Sequence, residues 1–170
     1  METAVVGIVG AFIGILLTNV LRVYFDWRNR RERVRDIQTA LRAEIRSHRH
    51  ALEYFEDDER ASGVIALMES DAHYIPFITR EVDPPIFTAI VGDIHILPGS
   101  VIDAVVIFYR QAKTLAGMTD DMRDDRYRSL PPNRKVQMYR DYLALGAYAL
   151  ELADDALGAI ESALAAGVQR

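Results

Sequence analysis

Near its start the chain carries an uncharged apolar run, Ala4 to Leu21, reading AVVGIVGAFIGILLTNVL, with Thr18 and Asn19 its only polar residues. At about 1.5 Å rise per residue such a helix covers roughly 27 Å, close to a hydrocarbon core about 30 Å thick. Val23 and a partly inserted N-terminus close the remaining gap, and Tyr24 and Trp27 follow where an aromatic belt sits. A cleaved signal peptide fits poorly: the leading Met1-Glu2-Thr3 has no positive charge, and arginines rather than a small-x-small site follow the run. A buried core helix fits poorly too, because apolar character on all sides ends abruptly in an arginine cluster. Residues 1–23 are therefore expected to form a transmembrane helix, and residues 24–35 a basic juxtamembrane segment.

Charge sets the expected orientation. No Lys or Arg precedes the run, while Arg22, Arg28, Arg30, Arg31, Arg33 and Arg35 follow it. The positive-inside rule puts the C-terminal side in the cytoplasm and the N-terminus outside, and the same arginines are candidates to hold anionic lipid head groups. Residues 1–50 hold nine Arg against five acids, and residues 51–170 hold eleven Lys or Arg against twenty, so charges of +4 and −9 make the net −5. Arg outnumbers Lys eighteen to two, which together with the abundant Ala is the composition of GC-rich coding and points to a bacterial inner membrane. Nucleic acid is not expected as a partner, since the basic cluster lies against a bilayer and no binding fold is recognisable. Gly7, Gly10, Gly14 and Thr18, spaced 3, 4 and 4, put small side chains on one helix face. Gly10-x-x-x-Gly14 is the spacing that lets two membrane helices approach closely, so contact with a second copy or another subunit is expected.

The remaining residues, 36–170, read as helices. No proline occurs between Met1 and Tyr74, and Val34, Ile37, Leu41, Ile45, His48, Leu52 and Phe55 recur with helical period. One helix is expected from the membrane to about Glu56, with a shorter one over Val64–Met68. Residues 73–85, HYIPFITREVDPP, break the pattern, because each proline forces extended or turn geometry on the residue before it. Asp83 is expected to cap a helix running to Leu97, with Pro84 at its first position, and Pro98 to open another with Val101, Val105, Phe108, Ala112, Leu115 and Met118 inward. The polar stretch from Thr119 to Asn133 reads as a loop. In the last segment Val136, Tyr139, Leu143, Gly146, Leu150, Ala153, Leu157, Ile160 and Leu164 alternate 3 and 4 apart. That coiled-coil-like seam predicts a long arm antiparallel to the helix leaving the membrane. The expected fold class is all-α: an N-terminal transmembrane helix continuing into a cytoplasmic antiparallel helical bundle.

Ile94 to Ile102, IHILPGSVI, followed by Val105-Val106-Ile107-Phe108-Tyr109, with Asp83 to Phe87 upstream, resembles a pattern in uncharacterised small bacterial single-span membrane proteins. In that group a short helix ends in Leu-Pro and an apolar helix ending in Phe-Tyr follows. The resemblance covers about a sixth of the chain and implies no activity.

Chemistry is sparse. There is no cysteine, which excludes disulfides, thiolate metal sites and a cysteine nucleophile. Of the four histidines, His48 lies four residues after Glu44 and His73 four after Glu69, but a di-iron bundle needs Glu-x-x-His on two helices. The acidic runs at Asp57-Asp58-Glu59 and Asp120 to Asp125 lack the glycine and terminal glutamate of a calcium loop. No phosphate-binding glycine loop or Gly-x-Ser-x-Gly motif occurs. No catalytic, metal or cofactor residue, and no small-molecule substrate, is expected. The expected role is a non-catalytic membrane-anchored interaction module that docks a cytoplasmic protein or joins a larger membrane complex. An effector or sensor whose cytoplasmic domain controls oligomerisation of the glycine-faced span is the alternative. Tyr74, Ile75, Phe77 and Ile78, bulky apolar residues in the proline-bearing break, are the candidate docking residues.

Overall fold

The computed structural model describes the backbone of residues 2–79 and 84–168, and the side chains of Arg22, Phe25, residues 27–79 and residues 84–167. The chain divides into two units, Met1–Ile37 and Gln38–Arg170. Among the described residues every regular element is helical. They are α1 (Glu2–Leu52), α2 (Asp58–Ser70), α3 (Pro85–Ile90), α4 (Gly99–Arg123), α5 (Asp125–Ser129) and α6 (Pro132–Val168), with 3-10 turns at Glu53–Glu56 and Val91–Ile96. Among the described residues no helix is long and apolar enough to cross a membrane. The side chains of Ala4–Leu21, on which the expected span rests, lie outside that set.

In the unit from Gln38 onward the core lies between the C-terminal part of α1, α4 and α6. Leu41, Ile45 and Leu52 of α1 are buried, as are Val101, Val105, Phe108 and Leu115 of α4, at the helical spacing expected of them. The seam on α6 is also buried at Val136, Tyr139, Gly146, Leu150, Ala153, Leu157 and Ile160, whereas Leu143 and Leu164 are only half-buried. Tyr142, Ala149, Leu152 and Ala156 are buried beside it. This widened stripe exists because α6 packs against α4 and α2 and also against the turn that follows α1. Cross-links between α1 and α6 run in opposite senses: Arg46 reaches Glu161 and Arg49 reaches Asp154, while Phe55 meets Tyr142. The two segments are therefore antiparallel. The two ion pairs are solvent-exposed, so they fix register and add little stability.

Gly146 has a steric reason to be glycine. A Cβ placed there would overlap the Phe55 ring, which lies in the 3-10 turn after α1 and stacks edge-on against Tyr142 with centroids 5.0 Å apart. The missing side chain lets that turn close onto α6.

Three local expectations are corrected. Thr119 to Asn133 is not a loop: α4 continues to Arg123 and α5 follows, because Thr119 and Met122 extend the inward stripe of Leu115 while the charged letters face out. Asp124 caps α5 by accepting from the Arg126 N–H at 2.8 Å. The helix expected over Val64–Met68 is longer: α2 runs from Asp58 to Ser70 and starts where Asp57 accepts from the Arg60 N–H at 2.9 Å. The helix expected to reach Leu97 stops at Ile90 and tightens into 3-10 geometry through Gly92. Pro84 is the N-cap of α3 and Pro85 its first residue; Asp83, the expected cap, lies outside the described residues.

Candidate functional site

Helix α3 begins at two prolines and has no cap from its own segment. Its exposed N–H groups are satisfied from elsewhere in the chain. The Glu44 carboxylate, on the buried side of α1, accepts from the N–H of Ile86 at 2.7 Å and of Phe87 at 2.9 Å. Tyr109 of α4 donates its hydroxyl to the same carboxylate at 2.6 Å, and Phe87 stacks on the Tyr109 ring with centroids 3.9 Å apart. Glu44 and Tyr109 are both buried. Burial pushes the Tyr109 hydroxyl well above its ordinary pKa, and the bond to the Glu44 carboxylate adds to the rise, because ionised tyrosinate would face a carboxylate in a poorly solvated site. One carboxylate thus ties α1, α3 and α4 together.

Beside this node a cleft of about 770 Å³ opens between α1, the 3-10 turn after it, α4, α6 and the segment ending at Thr79. Its floor on α1 is Ala43, Ser47 and Ala51, exposed small residues four apart. Phe55, Leu115, Tyr142 and Ile86 give it apolar walls, with Glu44 and His48 at one side. His48 is half-buried, and its ring meets Phe108 and Tyr109 edge-on at 6.0 and 6.3 Å. Glu44 is committed to the α3 cap rather than to His48, so their four-residue spacing makes no metal pair. His50 bonds Glu53, His95 bonds the Gly92 carbonyl, and His73 is exposed beside Asp71. Among the described residues no cluster of three or more His, Cys, Asp or Glu is placed to hold a metal ion.

The candidate docking residues divide by position. A turn at Asp71, whose side chain accepts from the His73 N–H at 2.8 Å, launches an irregular segment in which burial then alternates. Tyr74 is half-buried, Ile75 is 39% exposed, Pro76 is buried, Phe77 is 87% exposed, and Ile78 is buried at 6%. Arg123, at the end of α4, donates to the Ile78 carbonyl at 2.8 Å and pins the segment. Phe77 is thus presented outward between two anchored neighbours, on the rim of the cleft. Ile78 acts as an anchor of that segment rather than as an exposed contact.

The basic candidates Arg22, Arg28, Arg30, Arg33 and Arg35 are exposed, and Arg31 is half-buried. The Arg31 guanidinium lies 4.1 Å from the centre of the Trp27 ring, and Arg28 pairs with Glu32 at 3.0 Å. Trp27 itself is 52% exposed. Gly7, Gly10, Gly14 and Thr18 lie outside the residues whose side chains are described.

Glu44 as a cap in trans is the functional residue that sequence pattern did not reveal. Its signal was available: it stands between Leu41 and Ile45 on the inward face of an amphipathic helix, and a carboxylate there needs donors. Compared with protein-family models, with curated proteins and with solved structures, the chain finds no match.

Proposed function

We propose that the chain is a non-catalytic, membrane-anchored helical interaction module that docks a cytoplasmic protein through the Ile75–Phe77 surface. The observation that carries this reading is Phe77. Its ring is 87% exposed and, with the exposed Ile75, offers an aromatic anchor of the kind enriched at interfaces. Its two neighbours, Pro76 and Ile78, are buried, and Pro76 restricts the backbone, so the ring is held out at little further entropic cost on binding. Ile75, two residues earlier, shares its side of the segment and widens the anchor.

The anchor part of the reading rests on the uncharged run Ala4–Leu21 and the arginines after it. Trp27 with Arg31 across its face suits an interfacial belt, where an amphipathic ring and a cation meet head groups. The glycine face at Gly7, Gly10 and Gly14 supports lateral contact within the bilayer.

Replacing Ile75 and Phe77 together by Ser tests the docking surface. The double variant should keep its thermal unfolding midpoint within a few degrees, since both side chains are exposed, and should lose proteins that co-purify with the wild type from membranes. Retention of every co-purifying protein at wild-type yield would sink the docking surface, and loss of the fold would show that these side chains belong to the core.

A further inference from the structure

The cleft on α1 has a chemistry of its own and shares only Phe77 with the proposed docking surface. We propose that it binds a lipophilic cation lacking hydrogen-bond donors, of the quaternary ammonium or phosphonium class. Its volume of about 770 Å³ lies within the range of roughly 300–1,000 Å³ usual for small-molecule sites. Four aromatic residues, Tyr54, Phe55, Phe77 and Tyr142, border it. Aromatic faces carry partial negative charge and attract cations, most strongly where water is excluded. One of these rings already does so: the Arg60 guanidinium lies 3.4 Å from the centre of the Tyr54 ring.

Charge decides the sign of the ligand. Among the described lining residues Glu44 is the one acidic side chain, and none is lysine or arginine. An anion entering it would meet the buried Glu44 carboxylate. The absence of donors on the ligand follows from the hydrogen bonds already made. Glu44 accepts from Ile86, Phe87 and Tyr109, so three of the roughly four acceptor positions of a carboxylate are filled. A primary ammonium, with three donors to satisfy, would lose more to desolvation than the remaining wall returns. A quaternary centre has no N–H to satisfy and interacts through its charge with the carboxylate and the ring faces. The small floor residues Ala43, Ser47 and Ala51 leave room for its apolar substituents.

Equilibrium dialysis of the full chain in neutral detergent micelles tests this, with tetraphenylphosphonium as probe, tetraphenylborate as an anion of the same shape, and protein-free micelles as blank. The phosphonium should occupy one saturable site per chain, and the borate should bind at least about tenfold more weakly, because only its charge differs. Ala51→Trp, which places an indole in the cleft from an exposed position, should abolish phosphonium binding with the helical dichroism intact. Phe77→Ala should weaken it by roughly twofold to fivefold through loss of one exposed ring. Glu44→Gln should level the two ions; if that variant unfolds because α3 is released, Ala51→Trp and Phe77→Ala decide. No saturable phosphonium site, borate bound as tightly as phosphonium, or full binding by Ala51→Trp each overturns the proposal. The assay needs no protein partner, so the cation site stands or falls separately from the docking surface.

Discussion

Replacing Glu44 by Ala should be one of the most damaging single changes in the helical unit, although it deletes a charged residue. The carboxylate is buried and accepts three hydrogen bonds, at 2.7, 2.9 and 2.6 Å, from the Ile86 and Phe87 amides and the Tyr109 hydroxyl. Truncation leaves the Tyr109 hydroxyl without its acceptor in a buried site, which costs about 1–3 kcal/mol. It also uncaps α3, at about 1 kcal/mol. The half-buried Ile86 amide recovers part of its loss to water, and the vacated space adds a small packing term. The sum is about 2–4 kcal/mol. Glu44→Gln keeps the shape and one acceptor oxygen but turns an N–H2 toward donors, so about half that loss is expected. Tyr109→Phe removes one bond and leaves Glu44 with two, for about 1–1.5 kcal/mol. The double variant Glu44→Ala/Tyr109→Phe should cost less than the two single changes added, because no hydroxyl is then left unpaired. Urea unfolding of the full chain in neutral detergent, followed by far-UV circular dichroism, measures each step. A Glu44→Ala midpoint equivalent to less than about 0.5 kcal/mol of destabilisation would refute the reasoning, since surface changes away from such features cost no more than that.

Three further outcomes are expected. Gly146→Ala should destabilise by about 1–3 kcal/mol despite alanine's better helix propensity, because its Cβ overlaps the Phe55 ring; Phe55→Leu in the same chain should restore most of the loss, and an unchanged melting curve for Gly146→Ala would mean the turn is free to move away. Burial pushes the Tyr127 hydroxyl from 10.0 up to about 12, so the unfolded chain releases that proton first and its contribution to stability, complete below about pH 10, should fall away between about 10 and 12; Tyr127→Phe should flatten the decline of stability with pH in that window, and identical slopes would place Tyr127 in water. A reporter fused after Arg170 should report the cytoplasm, as the arginines following Ala4–Leu21 require; periplasmic activity overturns the orientation, and recovery of the full chain in solution without detergent overturns the anchor.

Periodicity made the helices legible because burial on a helix repeats every 3.6 residues whatever the polar composition of the other faces. Val101, Val105, Phe108 and Leu115, and the α6 seam from Val136 to Ile160, carry that repeat and are buried. The stretch after Thr119 misleads for the converse reason. Composition there is polar and proline-bearing, but Thr119 and Met122 continue the repeat at a distance of four and three residues, and position outweighs composition. In the described part of the proline-bearing break, residues 74–79, the chain is irregular, yet which of its side chains face outward is not readable from the sequence. Alternation at Pro76, Phe77 and Ile78 depends on Arg123 holding the Ile78 carbonyl, a contact across 45 residues that no local pattern encodes. The cleft was invisible for a similar reason. Ala43, Ser47 and Ala51 read as spacers between the seam residues of α1, and only the neighbouring elements turn their face into a floor.

Both pieces of irregular structure are held by side chains from other helices. Glu44 of α1 caps α3 from 42 residues away, and Arg123 of α4 fastens the segment before it. Neither piece has the local hydrogen bonds of a long helix, so each would be costly to order on its own. The tethers meet that cost within the folded unit, before any partner or ligand arrives. Phe77 is consequently a preorganised ring on a pinned backbone, and Glu44 a fixed charge in a cleft wall rather than a mobile one. A surface ordered in advance loses less entropy on association than a flexible loop of the same composition. The polar residues that most resemble ornaments on an apolar pattern, one glutamate and one arginine, therefore determine whether the candidate surface is presented at all.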